Sequence, residues 1–258
     1  MKIYSWNMFC FNARQDAAFE FIRSADFDIF CLQEVPEKFL ERLKTLPCHL
    51  ASAPDSIMFV TPRKTEAHHA VILSRFPISD SGPISFPKGA SPLRSRLLTK
   101  AMKPFGWKKN GGKGSVWADV SVPGTGAVRV FSLHLSLASP TERGAELEMV
   151  AGDLPKDIPA ILAGDFNVIE HALVKSFNWF LGSPLRESHP FHRERKHMEE
   201  RFAHYNFQNP LRGKVTHGIS QSQLDHILVP KEWVVAGASV GKKKYGSDHR
   251  PVYLEVVP

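Results

Sequence analysis

Cysteine is scarce in this sequence. Cys10, Cys31 and Cys48 are the only three in 258 residues, and no two are spaced Cys-x-x-Cys. An odd number without that spacing suits neither a disulfide framework nor a zinc cage, so reduced thiols and a cytoplasmic setting are expected. No run approaches the roughly 18–20 apolar residues that cross a bilayer, which excludes a helical membrane protein. The strand-like Ile3–Trp6 follows Met1-Lys2 directly, and no secretory leader is expected. Also missing are Gly-x-Gly-x-x-Gly, Gly-x-x-x-x-Gly-Lys-Ser/Thr and Gly-x-Ser-x-Gly. Their absence argues against dinucleotide enzymes, P-loop enzymes and serine hydrolases.

What is present is apolar content enough for a full core: 43% hydrophobic and 10% aromatic residues rule out disordered and fibrous classes. Lys and Arg number 33 against 26 Asp and Glu, a formal charge of +7. That surplus favours a polyanionic partner, either nucleic acid or an anionic lipid surface. Part of it is concentrated. Arg94, Arg96, Lys100, Lys103, Lys108, Lys109 and Lys113 fall in one stretch with no acidic residue among them. Phe105 and Trp107, interleaved with these lysines, are candidates to stack on bases.

Short apolar strands alternate with helical segments along the chain. Strands are expected over Lys2–Trp6, Ile29–Leu32, Val71–Ser74, Val116–Val122, Val128–Leu133, Ala160–Ala163, Leu224–Val229, Val234–Val240 and Val252–Val257. Helices are expected over Asp16–Ser24, Pro36–Leu46 and Thr141–Ala151, the last capped by Ser139, with a short polar helix near Arg193–Phe202. Pro87–Gly114 reads as a long loop. The pattern fits a layered α/β domain spanning residues 1–258 as one unit, with no linker or repeat to divide it. Oligomeric state leaves no mark in the sequence.

Polar residues recur where strands end. Asn7 follows the first strand, Gln33-Glu34 the second, His134 another, and Asp165 with Asn167 a fourth. Asp225-His226 open a later strand, and Asp248-His249 precede the last. Strands of one sheet end at a shared rim, so these groups can converge. Asn7, Glu34 and Asp248 are hard oxygen donors, suited to Mg²⁺ or Mn²⁺. Histidines on separate strands can give or take protons near neutral pH, and Asp225 can orient one of them. A cation, a water-orienting carboxylate and an acid are the parts of in-line phosphate ester hydrolysis.

The runs that carry these residues are Ser5-Trp6-Asn7, Leu32-Gln33-Glu34-Val35, Ile72-Leu73-Ser74-Arg75-Phe76-Pro77-Ile78, His134-Leu135, Gly164-Asp165-Phe166-Asn167, Leu224-Asp225-His226-Ile227-Leu228 and Ser247-Asp248-His249-Arg250-Pro251. In this order they resemble the endonuclease/exonuclease/phosphatase superfamily over nearly the whole chain. The resemblance implies a four-layer α/β sandwich with two packed mixed β-sheets flanked by helices. It implies a metal side made of Asn7, Glu34 and Asp248, and Asp165 as the group that orients and deprotonates water. Asn167 would hold the substrate or position Asp165, and His249 paired with Asp225 would contact the scissile phosphate. His134 would assist the leaving oxygen; some relatives pair it with a glutamate, and Glu66-Ala67-His68-His69 is the comparable stretch, in which no partner is placed.

Arg94, Arg96 and Lys113 are the expected substrate-binding residues. His226 reads as structural, and His189, His192, His197 and His204 as solvated surface. The expected activity is metal-dependent phosphodiester hydrolysis of nucleic acid, with DNA favoured. A phosphatase or phospholipase C-like hydrolase acting on phospholipid, sphingomyelin or inositol phosphate is the alternative. A catalytically dead binding module does not fit, because every expected acidic and histidine position is filled.

Overall fold

A computed structural model describes residues 1–61, 64–87, 97, 113–137, 139–181, 183–189 and 193–258. Twelve strands lie among these residues. They are β1 (Lys2–Asn7), β2 (Ile29–Pro36), β3 (His49–Thr61), β4 (Lys64–Ser74), β5 (Ile78–Phe86), β6 (Lys113–Val122), β7 (Gly126–His134), β8 (Ala160–Asp165), β9 (Phe207–Gln208), β10 (Asp225–Pro230), β11 (Val234–Val240) and β12 (Val252–Val257). The helices are α1 (Gln15–Ser24), α2 (Glu37–Leu43), α3 (Pro140–Gly152), α4 (Ala172–Leu181) and α5 (Glu194–His204). β3, β5, β9 and α4 were not anticipated from the sequence. β4 runs further back than the expected Val71–Ser74, and Pro36 closes β2 instead of opening the helix.

The strands form two six-stranded sheets, ordered β11-β12-β1-β2-β4-β3 and β5-β6-β7-β8-β10-β9. Each has a central parallel pair, β1/β2 in one and β7/β8 in the other, and the pairings on either side are antiparallel. The central strands read as unbroken apolar runs because both of their faces are covered. Ile29 and Cys31 of β2 meet Ile161 and Ala163 of β8 in the core between the sheets. Phe30 and Leu32 turn outward onto Ile22 of α1 and Phe39, Leu40 and Leu43 of α2. On the other side Phe131, Leu133, Leu162 and Leu228 meet Leu147 and Val150 of α3 and Met198 and Phe202 of α5. The result is a four-layer α/β sandwich.

Within each parallel pair both strands end at the same rim, and two glycines let the backbones close up there. Gly164 has φ +144°, and a Cβ on it would stand 2.0 Å from the Leu133 carbonyl oxygen. Only glycine fits beside β7 at that point. Gly114 has the same function between the sheets, since a Cβ there would stand 2.2 Å from the Pro54 oxygen.

A buried ion pair fastens the loop that follows β7. Arg143 of α3, fully buried, donates through Nε and Nη2 to Glu194 of α5 at 2.6 and 2.8 Å, and through Nη1 to the carbonyls of Ser136 and Leu137, both at 2.7 Å. All three of its nitrogens donate to acceptors, so truncating it strands a buried carboxylate. Arg143→Ala should lose about 3–5 kcal/mol in denaturant unfolding, whereas Arg143→Met with Glu194→Leu should recover most of that. Equal losses in the two variants would show that packing, not charge pairing, governs this contact.

Candidate active site

Two β-bulges set the geometry of the rim. On β2 the register against β4 slips between Leu32 and Val35, and on β3 it slips between Pro54 and Ser56. Glu34, at φ 55°, and Asp55 lie within these irregularities. A bulge re-aims one side chain without moving the sheet. Here the two are tied together, because the Glu34 amide donates to Asp55 Oδ2 at 3.0 Å. Left-handed backbone at a non-glycine residue is strained, and Asn167, at φ 53°, is a second case on the same rim.

Asp165 sits at the centre. It ends β8 opposite His134 of β7 and Asp225 of β10. Its Oδ1 accepts the Asn167 backbone N–H at 2.9 Å and its Oδ2 accepts Asn7 Nδ2 at 3.0 Å. The Asn167 side chain donates elsewhere, to the Leu135 carbonyl at 2.9 Å. Asn7 Oδ1 accepts from the Phe9 amide at 3.0 Å. Both asparagines therefore hold the Asp165 carboxylate in one orientation.

Two Asp–His pairs flank it. Nδ1 of His249 is 2.8 Å from Asp225 Oδ2, and Nδ1 of His134 is 2.8 and 2.9 Å from the two Asp55 oxygens. Each imidazole presents Nε2 to the same atom: both stand 3.8 Å from Asp165 Oδ2. Glu34 Oε1 is also 3.8 Å from His134 Nε2, while its Oε2 accepts the Cys10 amide at 3.0 Å. Burial alone would lower the pKa of His249, but Asp225, Asp165 and Asp248 outweigh it and raise it to about 10.

His217 completes the wall. Its Nδ1 accepts the Ser220 amide at 3.2 Å, which leaves the ring proton on Nε2, 3.5 Å from Asp248 Oδ2. Its ring lies 4.9 Å from that of His249. Despite burial, which raises it, the Asp248 carboxyl is held below its usual value by His217 and His249.

Asn7, Glu34, His134, Asp165, Asn167, Asp225, Asp248 and His249, all expected from the sequence, thus meet at one rim. Asp55 and His217 were missed. Asp55 supplies the carboxylate partner of His134 that Glu66-Ala67-His68-His69 left unplaced. Its signal was a period-two alternation, for Ala51, Ala53 and Asp55 are all buried on one face of β3. His226 is buried between Leu224 O and Arg195 and packs on Phe166, a structural arrangement. His197 and His204 are exposed on α5. Arg94, Arg96, Phe105, Trp107 and His192 lie outside the described residues; Lys113 opens β6, and its side chain is likewise outside them.

A model of the Endonuclease/Exonuclease/phosphatase family matches residues 4–249. The chain belongs to this family. Members hydrolyse phosphoester bonds, and their enzymes are generally dependent on divalent metals. A family protein from Beutenbergia cavernae is similar in fold at a TM-score of 0.72 and 17% identity, over 99% of this chain and 71% of that one. A mannosyl-6-phosphatase from Bacteroides thetaiotaomicron gives 0.61 at 18%, over 100% of both chains. A 3′ phosphatase from Neisseria, bound to a product DNA hairpin, gives 0.63 at 17%, again over 100% of both. No curated protein sequence matches. At these identities the likeness is one of fold, and the substrates of the neighbours differ.

The two pairs give a test that separates charge from shape. Asp55→Asn and Asp225→Asn preserve side-chain volume but remove the negative charge that fixes and polarises each ring. Each should leave the thermal transition nearly in place and lower phosphoester hydrolysis by about 10²–10⁴. In the metal-free protein, ring-proton NMR should find His249 cationic past pH 8.5 and titrating at lower pH in Asp225→Asn, since a raising charge is removed. An unmoved titration would show that Asp225 does not set the charge of His249.

Proposed function

We propose that the protein is a divalent-cation-dependent phosphodiesterase of nucleic acid, with DNA the favoured polymer. The observation that carries this reading is the convergence of both Nε2 atoms on one Asp165 oxygen, each at 3.8 Å. A phosphate ester lodged between them meets a fixed carboxylate, a cationic imidazole and a second imidazole at once. In this reading Asp165 takes a proton from water as its oxygen attacks phosphorus, and the opposite P–O bond breaks. His134 gives the proton that the leaving oxygen needs, its ring held by Asp55. His249, kept cationic by its carboxylates, offsets the charge that grows on the phosphoryl oxygens. Asn7 and Asn167 position Asp165, so their effect on rate runs through that carboxylate.

The residues fit a divalent cation. Glu34, Asp55, Asp165, Asp225 and Asp248 crowd one water-poor rim, a concentration of like charge that favours a bound cation. The donors are oxygens, which suits Mg²⁺ or Mn²⁺, and Glu34 and Asp248, with Asn7 Oδ1, would hold it. When bound, such an ion neutralises phosphate charge and makes water more acidic.

The formal charge of +7 supports a polyanionic substrate, with Arg94, Arg96 and Lys113 as proposed contacts. Cys10, Cys31 and Cys48, none of them in a disulfide, agree with a reducing compartment such as the cytoplasm. One observation favours the lipid or small-phosphate reading. Phe11, Leu137 and Ile219, at 49, 41 and 75% exposure, fringe the loops that carry the site, and exposed apolar side chains there would suit a lipid surface.

The deciding experiment offers EDTA-treated protein, with Mg²⁺ or Mn²⁺ restored, plasmid DNA, single-stranded DNA, RNA, sphingomyelin and inositol phosphate in parallel. Cleavage of DNA is expected to dominate and to vanish in EDTA. Glu34→Gln should weaken Mg²⁺ binding in calorimetry and slow turnover together, each by more than the roughly 10–100-fold that removing a residue behind the ligands costs. Turnover that persists in EDTA overturns the cation, and preference for sphingomyelin or inositol phosphate overturns the polymer.

A further inference from the structure

Several solvent-facing cations on this protein are neutralised by a neighbouring carboxylate. Lys2 pairs with Asp26, Arg23 with Glu20, Arg42 with Asp16, Lys44 with Glu41, Lys196 with Glu200 and Arg201 with Glu148. Arg14, Lys243 and Lys244 are among the cations that are not. None of them has an ion-pair partner among the described residues, yet all three line one groove of about 760 Å³ between α1 and the turn before Asp248. The single carboxylate in the wall, Glu20, is occupied by Arg23 through Nε at 3.1 Å and Nη2 at 2.5 Å. The groove therefore carries three positive charges with nothing of its own to balance them.

Its wall includes aromatic surface. Phe21 and Tyr245 stack with ring centroids 4.2 Å apart and planes 10° from parallel. A second, smaller cavity of about 220 Å³ shares these two rings and adds Tyr4, Tyr253 and Pro251. Both walls are fixed. Asn12 Nδ2 donates to the carbonyls of Met8 and Tyr245 at 3.0 and 3.1 Å, joining the loop after β1 to the turn before Asp248. At Gly246, with φ +93°, a Cβ would fall 2.1 Å from Asn12 Oδ1, so the turn closes against that loop only with glycine.

The groove also adjoins the active rim. Lys244 precedes Asp248 by four residues, at most about 14 Å of extended chain, and the Ser247 amide folds back on the Lys244 carbonyl at 2.9 Å. Lys244 Nζ lies 3.3 Å from the point a Cβ on Gly218 would occupy, one residue from the His217 that meets Asp248.

We propose that this groove is a second phosphate-binding site, one that takes the sugar–phosphate backbone of a nucleic acid strand beyond the scissile phosphate. The proposal rests on the nuclease reading above and extends it to a part of the surface that the rim residues do not reach. Unpaired cations beside a stacking surface match a strand, whose charges and bases alternate along its length. Sphingomyelin, whose single headgroup phosphate would be the scissile one, has no further phosphate to place there.

The test compares the protein with a variant carrying Arg14→Ala, Lys243→Ala and Lys244→Ala, all surface positions, after circular dichroism has verified the fold. Single-stranded DNA affinity is measured by fluorescence anisotropy in Mg²⁺ at several salt concentrations, with Asp165→Asn added to both proteins to prevent cleavage. The triple variant should bind about tenfold or more weakly at low salt. The slope of log K against log salt should shrink by about 2, at ~0.7 for each phosphate that is no longer neutralised. With Asp165 restored, hydrolysis of bis-p-nitrophenyl phosphate, which has one phosphate and cannot span to the groove, should hold within about twofold while DNA cleavage falls.

Unchanged DNA affinity and slope overturn the groove. So does an equal fall on both substrates, which would make these residues supports of the rim. If the parent protein neither binds nor cleaves nucleic acid, the nuclease reading itself has failed, a result separate from either. Weaker binding to phosphatidylserine vesicles in the variant, with DNA binding intact, assigns the groove to a membrane and overturns the proposal.

Discussion

Buried negative charge is the constraint on which the rest of this structure depends. Glu34, Asp55, Asp165, Asp225 and Asp248 are brought to one rim, and each is held by donors: a backbone amide for Glu34, two asparagines for Asp165, and a histidine for each of the others. A carboxylate removed from water is costly unless its lone pairs are met. Each of the three imidazoles meets one carboxylate in a way that also fixes function. Asp55 and Asp225 lock Nδ1 of His134 and His249, so both Nε2 atoms are left facing Asp165. In His217 the Ser220 amide occupies Nδ1, and the remaining proton is directed at Asp248.

The fold's contribution is to make that convergence rigid. Each sheet is built about a parallel pair, and parallel strands that end together deliver their terminal side chains to one place. Gly164 lets His134 and Asp165 stand side by side, and Gly114 lets β6 close against β3 near Asp55. The bulges at Glu34 and Asp55 turn two carboxylates inward without disturbing the apolar layers beneath. Strain at Glu34 and Asn167 is tolerated because these layers determine the backbone on either side. The loop after His134 is held from below by Arg143, so the wall does not depend on its exposed surface.

Much of this was legible in the sequence. Strands ending in Asn7, Glu34, His134 and Asp165 stand out because their apolar runs stop abruptly at polar residues. Gly164-Asp165-Phe166-Asn167 and Ser247-Asp248-His249 add short motifs in the right order. β3 was hidden because Pro54 and the polar residues around it interrupt the apolar pattern, although Ala51, Ala53 and Asp55 keep a two-residue period. His217 was hidden for a different reason. It lies outside the named strands, and only an isolated bridge to His249 brings it to the rim. The lysines before Tyr245 are plain in the sequence as a charge run. That Lys243 and Lys244 share one groove with Arg14, its only carboxylate already taken by Arg23, is a property of three-dimensional packing.

The most direct measurement of the central claim, that both Asp–His pairs serve one phosphate beside Asp165, is a crystal structure of Asp165→Asn with Mg²⁺ and an uncleaved phosphodiester. The expected result places the cation against Glu34 and Asp248, and non-bridging or leaving oxygens within hydrogen-bond distance of both His134 Nε2 and His249 Nε2. A phosphodiester that touches only one of the two histidines, with the other still closed on its aspartate and remote from the ligand, would contradict it.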